Sequence, residues 1–298
     1  MSKAKISVVV PIDPRRPTEI LASINSQKDK CIPIFVAGFN ASENRNKGAR
    51  EARTDFVAYS NMHSHLADDW STKVLEFFDR HPEIDIVGGP HLSLKDESFI
   101  GRVSGYALGS LFGAAEVSSR YNTKKENLNA DEKHITTANL ICRKSVIKKI
   151  KFDEKLYPGE DPQFIVDAKK NGFKVAYSPN IIVYQRRRDN LLGLAKQIFY
   201  YGTARPKKEN FATTLTMPSF LVPSVFIIYI ALLPTLFLIS KFLLLPLLAY
   251  IFLNLTFSVY ESLKNRDALS AFVLPFAFLT IHVSYGLGYL YGFVQKYS

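Results

Sequence analysis

The feature that most constrains this chain is a C-terminal third that carries almost no charge. Over residues 211–260 the only charged side chain is Lys241, and over residues 268–294 there is none. A helix needs about 20 predominantly apolar residues to cross the hydrocarbon core of a bilayer. A buried helical subdomain of a water-soluble protein is the less favoured alternative. The predicted transmembrane helices are residues 218–240, 242–260 and 268–294.

Basic residues flank these stretches. Lys207 and Lys208 precede the first predicted span, and Lys264 and Arg266 lie between the second and the third. Cytosolic loops favour Lys and Arg. The apolar run that begins at Ile6 is too short for a signal peptide. The sequence therefore predicts a multi-pass integral membrane protein whose N-terminal domain is cytosolic.

Apolar runs alternate with amphipathic segments in the N-terminal two-thirds. This alternation predicts an α/β fold with a mostly parallel sheet. Ligands of such sheets bind at the carboxyl ends of the strands, which directs attention to Asp13 and to the segments 40–45, 61–69 and 88–91. The predicted strands are residues 6–12, 33–39, 56–60 and 84–87, and the predicted helices are 17–26, 46–53 and 69–80.

Composition excludes several other classes. Hydrophobic residues make up 47% of the chain and aromatic residues 13%, which excludes a disordered chain. Cys31 and Cys142 are too few for a disulfide framework, and both are expected to be buried thiols. The net charge of +11 is spread along the chain and is partly explained by a membrane surface, so no nucleic-acid partner is predicted.

Several short motifs follow one another along the chain. In order and spacing they resemble the family-2 inverting glycosyltransferases of GT-A fold, and among these the membrane-anchored exopolysaccharide chain-extension (succinoglycan-type) enzymes. The resemblance covers essentially the whole chain. The motifs are Asn44-Arg45-Asn46-Lys47-Gly48, Gly88-Gly89-Pro90, Thr137-Ala138-Asn139 with Arg143, Phe152-Asp153-Glu154, Gly159-Glu160-Asp161, and Gln197 with Tyr201-Gly202.

Glycines recur at every fourth position from Gly101 to Gly113. On a helix they form a stripe that allows another helix to approach closely. We expect a helix over residues 98–121 that lies on the membrane and packs near the spans; a helix in the soluble core is the alternative. With the resemblance, the predicted domains are a GT-A-like domain over residues 1–205 and a juxtamembrane and transmembrane region over residues 206–298.

A glycosyltransferase must deprotonate an acceptor hydroxyl, which a positioned carboxylate can do. Asp161 precedes a proline that favours the first turn of a helix, so it is expected at a helix N-terminus. The resemblance implies that Asp161 is the catalytic base and that Glu160 assists, for example by orienting the acceptor. A helix-capping role for Asp161 is the alternative.

The resemblance also implies positions for the donor and the acceptor. Asp13 could accept hydrogen bonds from the base or ribose of the donor, and Arg15 and Arg16 could contact phosphate; an exposed turn is the alternative. Arg45 is expected to contact the diphosphate, unless it pairs with a neighbouring acid, Asp55 or Glu51. The predicted donor-binding residues are Pro11, Asp13, Arg45, Asn61, Gly88 and Gly89, and the predicted acceptor-binding residues are Thr137 and Asn139.

The family's Asp-x-Asp metal motif is replaced here by Asn61-Met62-His63. Magnesium prefers carboxylate oxygen and water, whereas imidazole suits transition metals. His63 is therefore the candidate metal ligand, with His65 on the same side if the segment is extended; two polar loop residues are the alternative. A divalent cation, Mn²⁺ or Mg²⁺, stays an open expectation.

Three successive arginines, Arg186, Arg187 and Arg188, follow an apolar run. Arginine is suited to phosphate recognition, so these residues are predicted to bind the pyrophosphate of the donor or of a lipid carrier. A juxtamembrane patch drawn to anionic headgroups is the equal alternative.

The leading hypothesis is a membrane-bound enzyme that transfers a sugar from a nucleotide-sugar donor to a lipid-linked saccharide acceptor. A non-catalytic membrane scaffold derived from such an enzyme is the second, because the metal motif is degenerate. A polyprenyl-phosphate monosaccharide synthase is the third. A transporter is disfavoured because the spans carry no paired charges. The oligomeric state is left undefined.

Overall fold

The computed structural model describes residues 4–156, 158–208 and 217–297. Its contacts divide the chain into two compact units, which we call the sheet unit (Met1–Lys95 with Glu116–Arg186) and the helical unit (Asp96–Ala115 with Arg187–Ser298). The division after residue 205 that the sequence predicts stays a prediction.

The described residues of the sheet unit form nine strands. They are β1 (Ile6–Ile12), β2 (Cys31–Ala37), β3 (Phe56–Tyr59), β4 (Ser64–Leu66), β5 (Ile86–Gly88), β6 (His91–Leu92), β7 (Leu140–Arg143), β8 (Val175–Tyr177) and β9 (Val183–Gln185). Its α-helices among the described residues are α1 (Ile20–Asn25), α2 (Ala41–Glu51), α3 (Trp70–Arg80), α6 (Lys144–Lys149) and α7 (Glu160–Lys170). The intervening helices α4 (Phe99–Gly109) and α5 (Leu111–Ala114) lie in the helical unit.

Six strands form the central sheet, in the order β2-β1-β3-β7-β5-β8. The pairs β2–β1, β1–β3 and β5–β8 are parallel, and β7 is antiparallel to both β3 and β5. The predicted α/β class with a mostly parallel sheet is therefore confirmed. Strands β4, β9 and β6 form a second, three-stranded sheet.

Strand β1 lies in the centre of the core because its side chains are apolar on both faces. Val8, Val9 and Val10 are fully buried, as expected for a strand of a parallel sheet covered on both sides. Helix α2 packs closely over it: a side chain at Gly48 would collide with Val9. The glycine of the Asn44–Gly48 motif thus has a packing function.

The helical unit contains α4 (Phe99–Gly109), α5 (Leu111–Ala114), α8 (Leu191–Lys208), α9 (Val222–Ile239), α10 (Leu245–Lys264) and α11 (Ser270–Tyr297). The single helix predicted over residues 98–121 is divided: α4 ends at Gly109, α5 begins at Leu111, and a 3₁₀ helix covers Ala115–Arg120. The Ser110 side chain accepts a hydrogen bond from Phe112 N and begins a new helix there.

Three helices are long and apolar enough to span a membrane, among the residues that the structure describes. They cover Val222–Ile239, Lys241–Lys264 and Ser270–Lys296, with mean hydropathy of 2.4, 2.1 and 1.5. The three predicted apolar segments are therefore confirmed as helices of membrane-spanning length and composition.

Polar groups connect the helices of this unit. The ring nitrogens of His282 contact the Tyr250 hydroxyl at 3.0 Å and the Phe112 carbonyl oxygen at 2.8 Å. His282 therefore joins α11 to α10 and to α5 by hydrogen bonds. Helix α8 also packs against α11, because glycines at 202, 288 and 292 bring the two backbones together.

Candidate active site

The carboxyl ends of the parallel strands meet at one edge of the central sheet. Asp13 follows β1, Asn61 follows β3 and Gly89 follows β5. Because β7 is antiparallel, its first residues, preceded by Thr137, lie at this same edge. The topology therefore collects chemistry-bearing residues where ligands of α/β sheets bind.

Asp161 lies at this edge, in the first turn of α7. The helix begins after Gly159, whose φ of 119° is in the left-handed region that favours glycine. Oδ2 of Asp161 accepts hydrogen bonds from the backbone N–H of Thr137 at 3.1 Å and from its hydroxyl at 2.7 Å. The capping alternative is not what the structure has, because the N-cap is Gly159 and the Asp161 carboxylate bonds to Thr137 instead.

Exposure distinguishes the two oxygens of Asp161. Oδ1 is buried and accepts no hydrogen bond from any described residue, although Arg45 Nη1 lies 3.4 Å away. The side chain as a whole is 22% exposed. Oδ1 is therefore closed to solvent, and the exposed part of the side chain lies among its other atoms, which include the Oδ2 that Thr137 holds in place.

Arg45 lies beneath this carboxylate. Its Nη1 lies 3.0 Å from Glu160 Oε1, and both side chains are less than a tenth exposed. Its guanidinium carbon lies 5.4 Å from the centre of the Phe152 ring. The neighbouring acids that the sequence offered as partners are not the ones that Arg45 contacts, because α2 points this side chain at α7. Its predicted contact with a diphosphate stays a prediction.

Glu160 is buried beside Arg45 and Asp161. Oε1 accepts from Arg45, and Oε2 accepts from the backbone N–H of Gly159 at 3.1 Å. Burial, followed by the charge of Asp161, raises the pKa of the Glu160 carboxyl above its ordinary value. A catalytic role for Glu160 stays a prediction. Its burial and contacts favour an indirect role, in which Glu160 acts through Arg45 and Asp161.

Helix α2 also fixes the loop that leads to these acids. The Asn46 side-chain amide donates to Phe152 O and to Glu154 Oε1, both at 2.9 Å, and its carbonyl accepts from Phe152 N at 2.9 Å. Asn40, the N-cap of α2, donates to Glu154 O at 2.9 Å. Two motifs more than 100 residues apart are thereby joined. The sequence contained both motifs but no signal that they pair.

The two predicted acceptor-binding residues have different surroundings. Thr137 holds Asp161, as described. Asn139 is 1% exposed, and its amide accepts from Trp70 Nε1 at 3.0 Å and donates to Ile181 O at 2.7 Å. Its acceptor role stays a prediction, while its contacts inside the protein fix the start of β7.

The predicted donor-binding residues at the ends of β1 and β2 form a small exposed cluster. The Asp13 carboxylate accepts from the Arg15 guanidinium through two bonds of 2.9 Å, and Arg16 lies 3.5 Å away. Hydrogen bonds from Arg15 hold the pKa of Asp13 at about 2. The Arg15 guanidinium also lies over the ring of Phe39, at 4.8 Å, and that ring is 76% exposed. Sequence reasoning missed Phe39, whose exposure was the only available signal and is visible only in the structure.

The remaining predicted donor-binding residues lie at or near the strand ends that form this edge of the sheet. Pro11 lies in β1, partly buried, and Asn61 follows β3 with its carbonyl accepting from Ser64 N at 3.0 Å. Gly88 and Gly89 end β5, where an added side chain would collide with Ile135 and Ile181 O, respectively. The two glycines are thus required for packing, and their contact with a donor stays a prediction.

The residues at the predicted metal position do not fit a carboxylate-held cation. Met62 is buried, and its sulfur accepts from Asp13 N at 3.4 Å. His63 and His65 both face Glu19, at 3.7 and 3.3 Å. Within the described part of the chain, no group of three or more His, Cys, Asp or Glu residues could hold a metal ion.

The three successive arginines are divided between the units. Arg186 follows β9 and ends the sheet unit. In the helical unit, Arg187 N donates to Glu97 Oε1 at 2.6 Å and Arg188 Nε donates to Gln197 Oε1 at 3.3 Å. Their predicted role in binding pyrophosphate stays a prediction.

Part of the chain is similar to a known protein family. Residues 13–151 match the family model described as Glycosyl transferase family 2. The match includes the strand ends at Asp13, Asn61 and Gly89, and it ends before Asp161. No curated protein matches the chain.

Several solved structures are similar to this chain at low sequence identity. The mannosyltransferase PcManGT from Pyrobaculum calidifontis, in complex with GDP-Man and Mn2+, aligns with a TM-score of 0.57 at 11% identity, over 94% of this chain and 86% of that chain. S. aureus TarS in complex with UDP aligns with a TM-score of 0.47 at 14% identity, over 99% of this chain and 92% of that chain. Against a longer TarS chain, with a TM-score of 0.43 at 14% identity, the alignment covers 66% of this chain and 39% of that one.

The family match and the fold agree with each other. The family match covers the region that contains most of the sheet edge, and the likeness to PcManGT gives the fold. This chain therefore has a GT-A-like fold, and somewhat less than half of it is similar to the Glycosyl transferase family 2 model.

Proposed function

We propose that this protein is a membrane-bound inverting glycosyltransferase that moves a sugar from a nucleotide-sugar donor to a lipid-linked saccharide acceptor, in polysaccharide or glycoconjugate synthesis. The observation that carries the proposal is Asp161. It is a carboxylate at the ligand-binding edge of the sheet, partly exposed and held by two donors from Thr137. A general base needs this combination of access and fixed orientation.

The reaction follows from that arrangement. An acceptor hydroxyl attacks the anomeric carbon of the donor sugar as Asp161 takes the hydroxyl proton. The new glycosidic bond forms while the bond to the diphosphate breaks, and the nucleoside diphosphate leaves with the bonding electrons. Attack opposite the leaving group inverts the anomeric carbon.

The leaving diphosphate needs positive charge nearby. Arg15 and Arg16 follow β1 at the same sheet edge, and both side chains are more than 60% exposed. Each keeps donors beyond those that face Asp13. We therefore assign the diphosphate to these two arginines, since the residues at 61–63 do not form a carboxylate site for Mg²⁺ or Mn²⁺.

The helical unit supports a lipid-linked acceptor. Three apolar helices of membrane-spanning length form most of it, and such a protein is anchored where lipid-linked substrates reside. A catalytic domain on the cytosolic side follows from the basic loop that contains Lys264 and Arg266.

A non-catalytic membrane scaffold is the second candidate function. The observation in its favour is the Asn61-Met62-His63 segment, where the family's motif has carboxylates. Such a protein would keep the fold and the membrane helices without turnover.

The test is release of nucleoside diphosphate by the full chain in detergent. UDP-sugars and GDP-sugars are supplied with Mn²⁺, Mg²⁺ or EDTA, with and without polyprenyl-linked saccharides. Asp161→Asn should lower turnover about 10²–10⁴-fold. Asp167→Asn is the matched control, because this acid lies in the same helix and contacts Gln163 instead; its turnover should stay at the wild-type level.

Two outcomes would overturn the proposal. Wild-type protein that neither turns over nor binds UDP or GDP by calorimetry, with any of the metals, would favour the scaffold. A product whose anomeric configuration equals that of the donor, determined by NMR, would exclude single-step inversion.

A further inference from the structure

One guanidinium group lies close to two adjacent carboxylates in the candidate site. Arg45 Nη1 lies 3.0 Å from Glu160 Oε1 and 3.4 Å from Asp161 Oδ1. The side chains of Arg45 and Glu160 are 7% and 8% exposed. Charges this close and this buried are weakly screened, so each strongly affects the protonation of the others.

The three charges do not balance. With both acids ionised, the cluster carries two negative charges and one positive charge. When Asp161 takes a proton from an acceptor, one buried ion pair of Glu160 and Arg45 remains. Protonation of Asp161 therefore leaves the buried cluster neutral.

Among the described residues, several neutral groups lie near the cluster. Thr137, from the segment before β7, contributes a hydroxyl and an N–H. From the sheet, Tyr59 is fully buried, and burial raises the pKa of its hydroxyl well above the ordinary value. Cys142 of β7 is buried in the same way, and burial raises the pKa of its thiol. Phe152 covers the guanidinium on the remaining side.

The influence of the two acids on each other is reciprocal. The charge of Asp161 contributes to the raised pKa of Glu160. Coupling between two neighbouring titrating groups is mutual, so the two carboxylates titrate as an interacting pair.

We propose that Arg45 and Glu160 are positioning residues that set the basicity of Asp161 in opposite directions: the guanidinium orients the carboxylate and lowers its proton affinity, and the buried glutamate restores that affinity. The proposal rests on Asp161 being the base of the proposed function. It assigns Arg45 to the base rather than to the donor diphosphate.

The experiment measures the titration of Asp161 in the full chain in detergent, without substrate. The ¹³Cγ signal of labelled aspartate is followed against pH and assigned through its loss in Asp161→Asn. Glu160→Gln should lower the titration midpoint by about one pH unit, and Arg45→Met should raise it by about one, as expected for removal of a like and of an opposite charge. Arg45→Lys should stay near the wild-type midpoint.

Matched controls come from the exposed face of α2. Glu43→Gln and Lys47→Met remove the same charges from the same helix without touching the cluster, and should leave the midpoint unchanged. Fluorescence of Trp70, the single tryptophan, confirms that each variant is folded. If Arg45→Met does not fold, the near-isosteric Glu160→Gln decides the question alone.

The outcomes separate this proposal from the enzymatic one. If Glu160→Gln and Arg45→Met shift the titration midpoint of Asp161 in the same direction, the electrostatic assignment is wrong, even in an active enzyme. The same conclusion follows if Glu160→Gln does not shift the midpoint. If the two variants shift the midpoint in opposite directions but the wild-type protein has no turnover, the electrostatic assignment is supported and the proposed function is wrong. In an active enzyme, the acidic limb of the kcat/KM profile should move with each midpoint, which a merely structural role would not cause.

Discussion

The backbone N–H and the hydroxyl of Thr137 donate to the same oxygen of Asp161, at 3.1 and 2.7 Å. Thr137 is 1% exposed, so its own position is fixed by the protein around it. The pair joins the segment before β7 to the first turn of α7. This double contact fixes the orientation of the Asp161 carboxylate.

Removing the hydroxyl while keeping the shape of residue 137 should therefore impair turnover more than binding. For Thr137→Val we expect kcat to fall about tenfold, the equivalent of one hydrogen bond to a charged group, with KM for the donor unchanged. Thr137→Ser keeps the donor and should retain near wild-type kcat. A Val variant with full kcat would show that the backbone N–H alone is sufficient to orient Asp161.

The contacts of Asn46 predict a stability effect. Asn46→Ala removes three hydrogen bonds to the segment 152–154 and leaves buried backbone groups unpaired. The free energy of unfolding of the sheet unit should fall by about 2–4 kcal/mol. Urea unfolding of the full chain in detergent, followed by Trp70 fluorescence, measures this.

The control for Asn46 is another asparagine. Asn171→Ala removes a single bond from an exposed side chain to Asp167 O and should change the free energy by less than about 0.5 kcal/mol. Equal effects of the two substitutions would contradict the proposed clamp between α2 and this loop.

Close packing of α8 against α11 gives a third prediction. A side chain at Gly288 would collide with the backbone carbonyl of Phe199, and a backbone cannot move aside as a flexible side chain can. Gly288→Ala should lower the free energy of unfolding by about 1–3 kcal/mol. The thermal unfolding midpoint of the helical unit, measured by circular dichroism, should fall accordingly. The neighbouring Leu287→Ala, at a position 44% exposed, is the control and should have a smaller effect.

The cluster at the end of β1 predicts a pH dependence. Asp13 has its pKa lowered to about 2 by hydrogen bonds from Arg15. Since the pKa is lower in the folded state than the ordinary 3.8, the stabilising contact is fully present above pH 3.8 and is lost as the pH falls through about 2. NMR titration of Asp13 in Arg15→Met should return its midpoint towards 3.8, whereas Lys28→Met, distant in sequence and exposed, should not.

Much of the fold could be predicted because its signals are local. The uncharged runs predict membrane-spanning helices, and the alternation of β-branched runs with amphipathic segments predicts a mostly parallel sheet. The bounds of β1, Ile6–Ile12, follow from its composition alone. Helix α2 begins earlier than predicted, at Ala41, because the Asn40 side chain caps it by accepting from Ser42 N and Glu43 N.

What the sequence by itself determined is therefore the periodicity of each segment and the presence of Asp161 before a proline. Only the tertiary structure decided the partners. Arg45 contacts an acid 115 positions away instead of its sequence neighbours, and Thr137 contacts Asp161 because β7 runs antiparallel to β3 and brings its first residues to the ligand-binding edge. Such contacts depend on strand order and on helix orientation, which arise from the packing of the whole core and leave no trace in the local sequence.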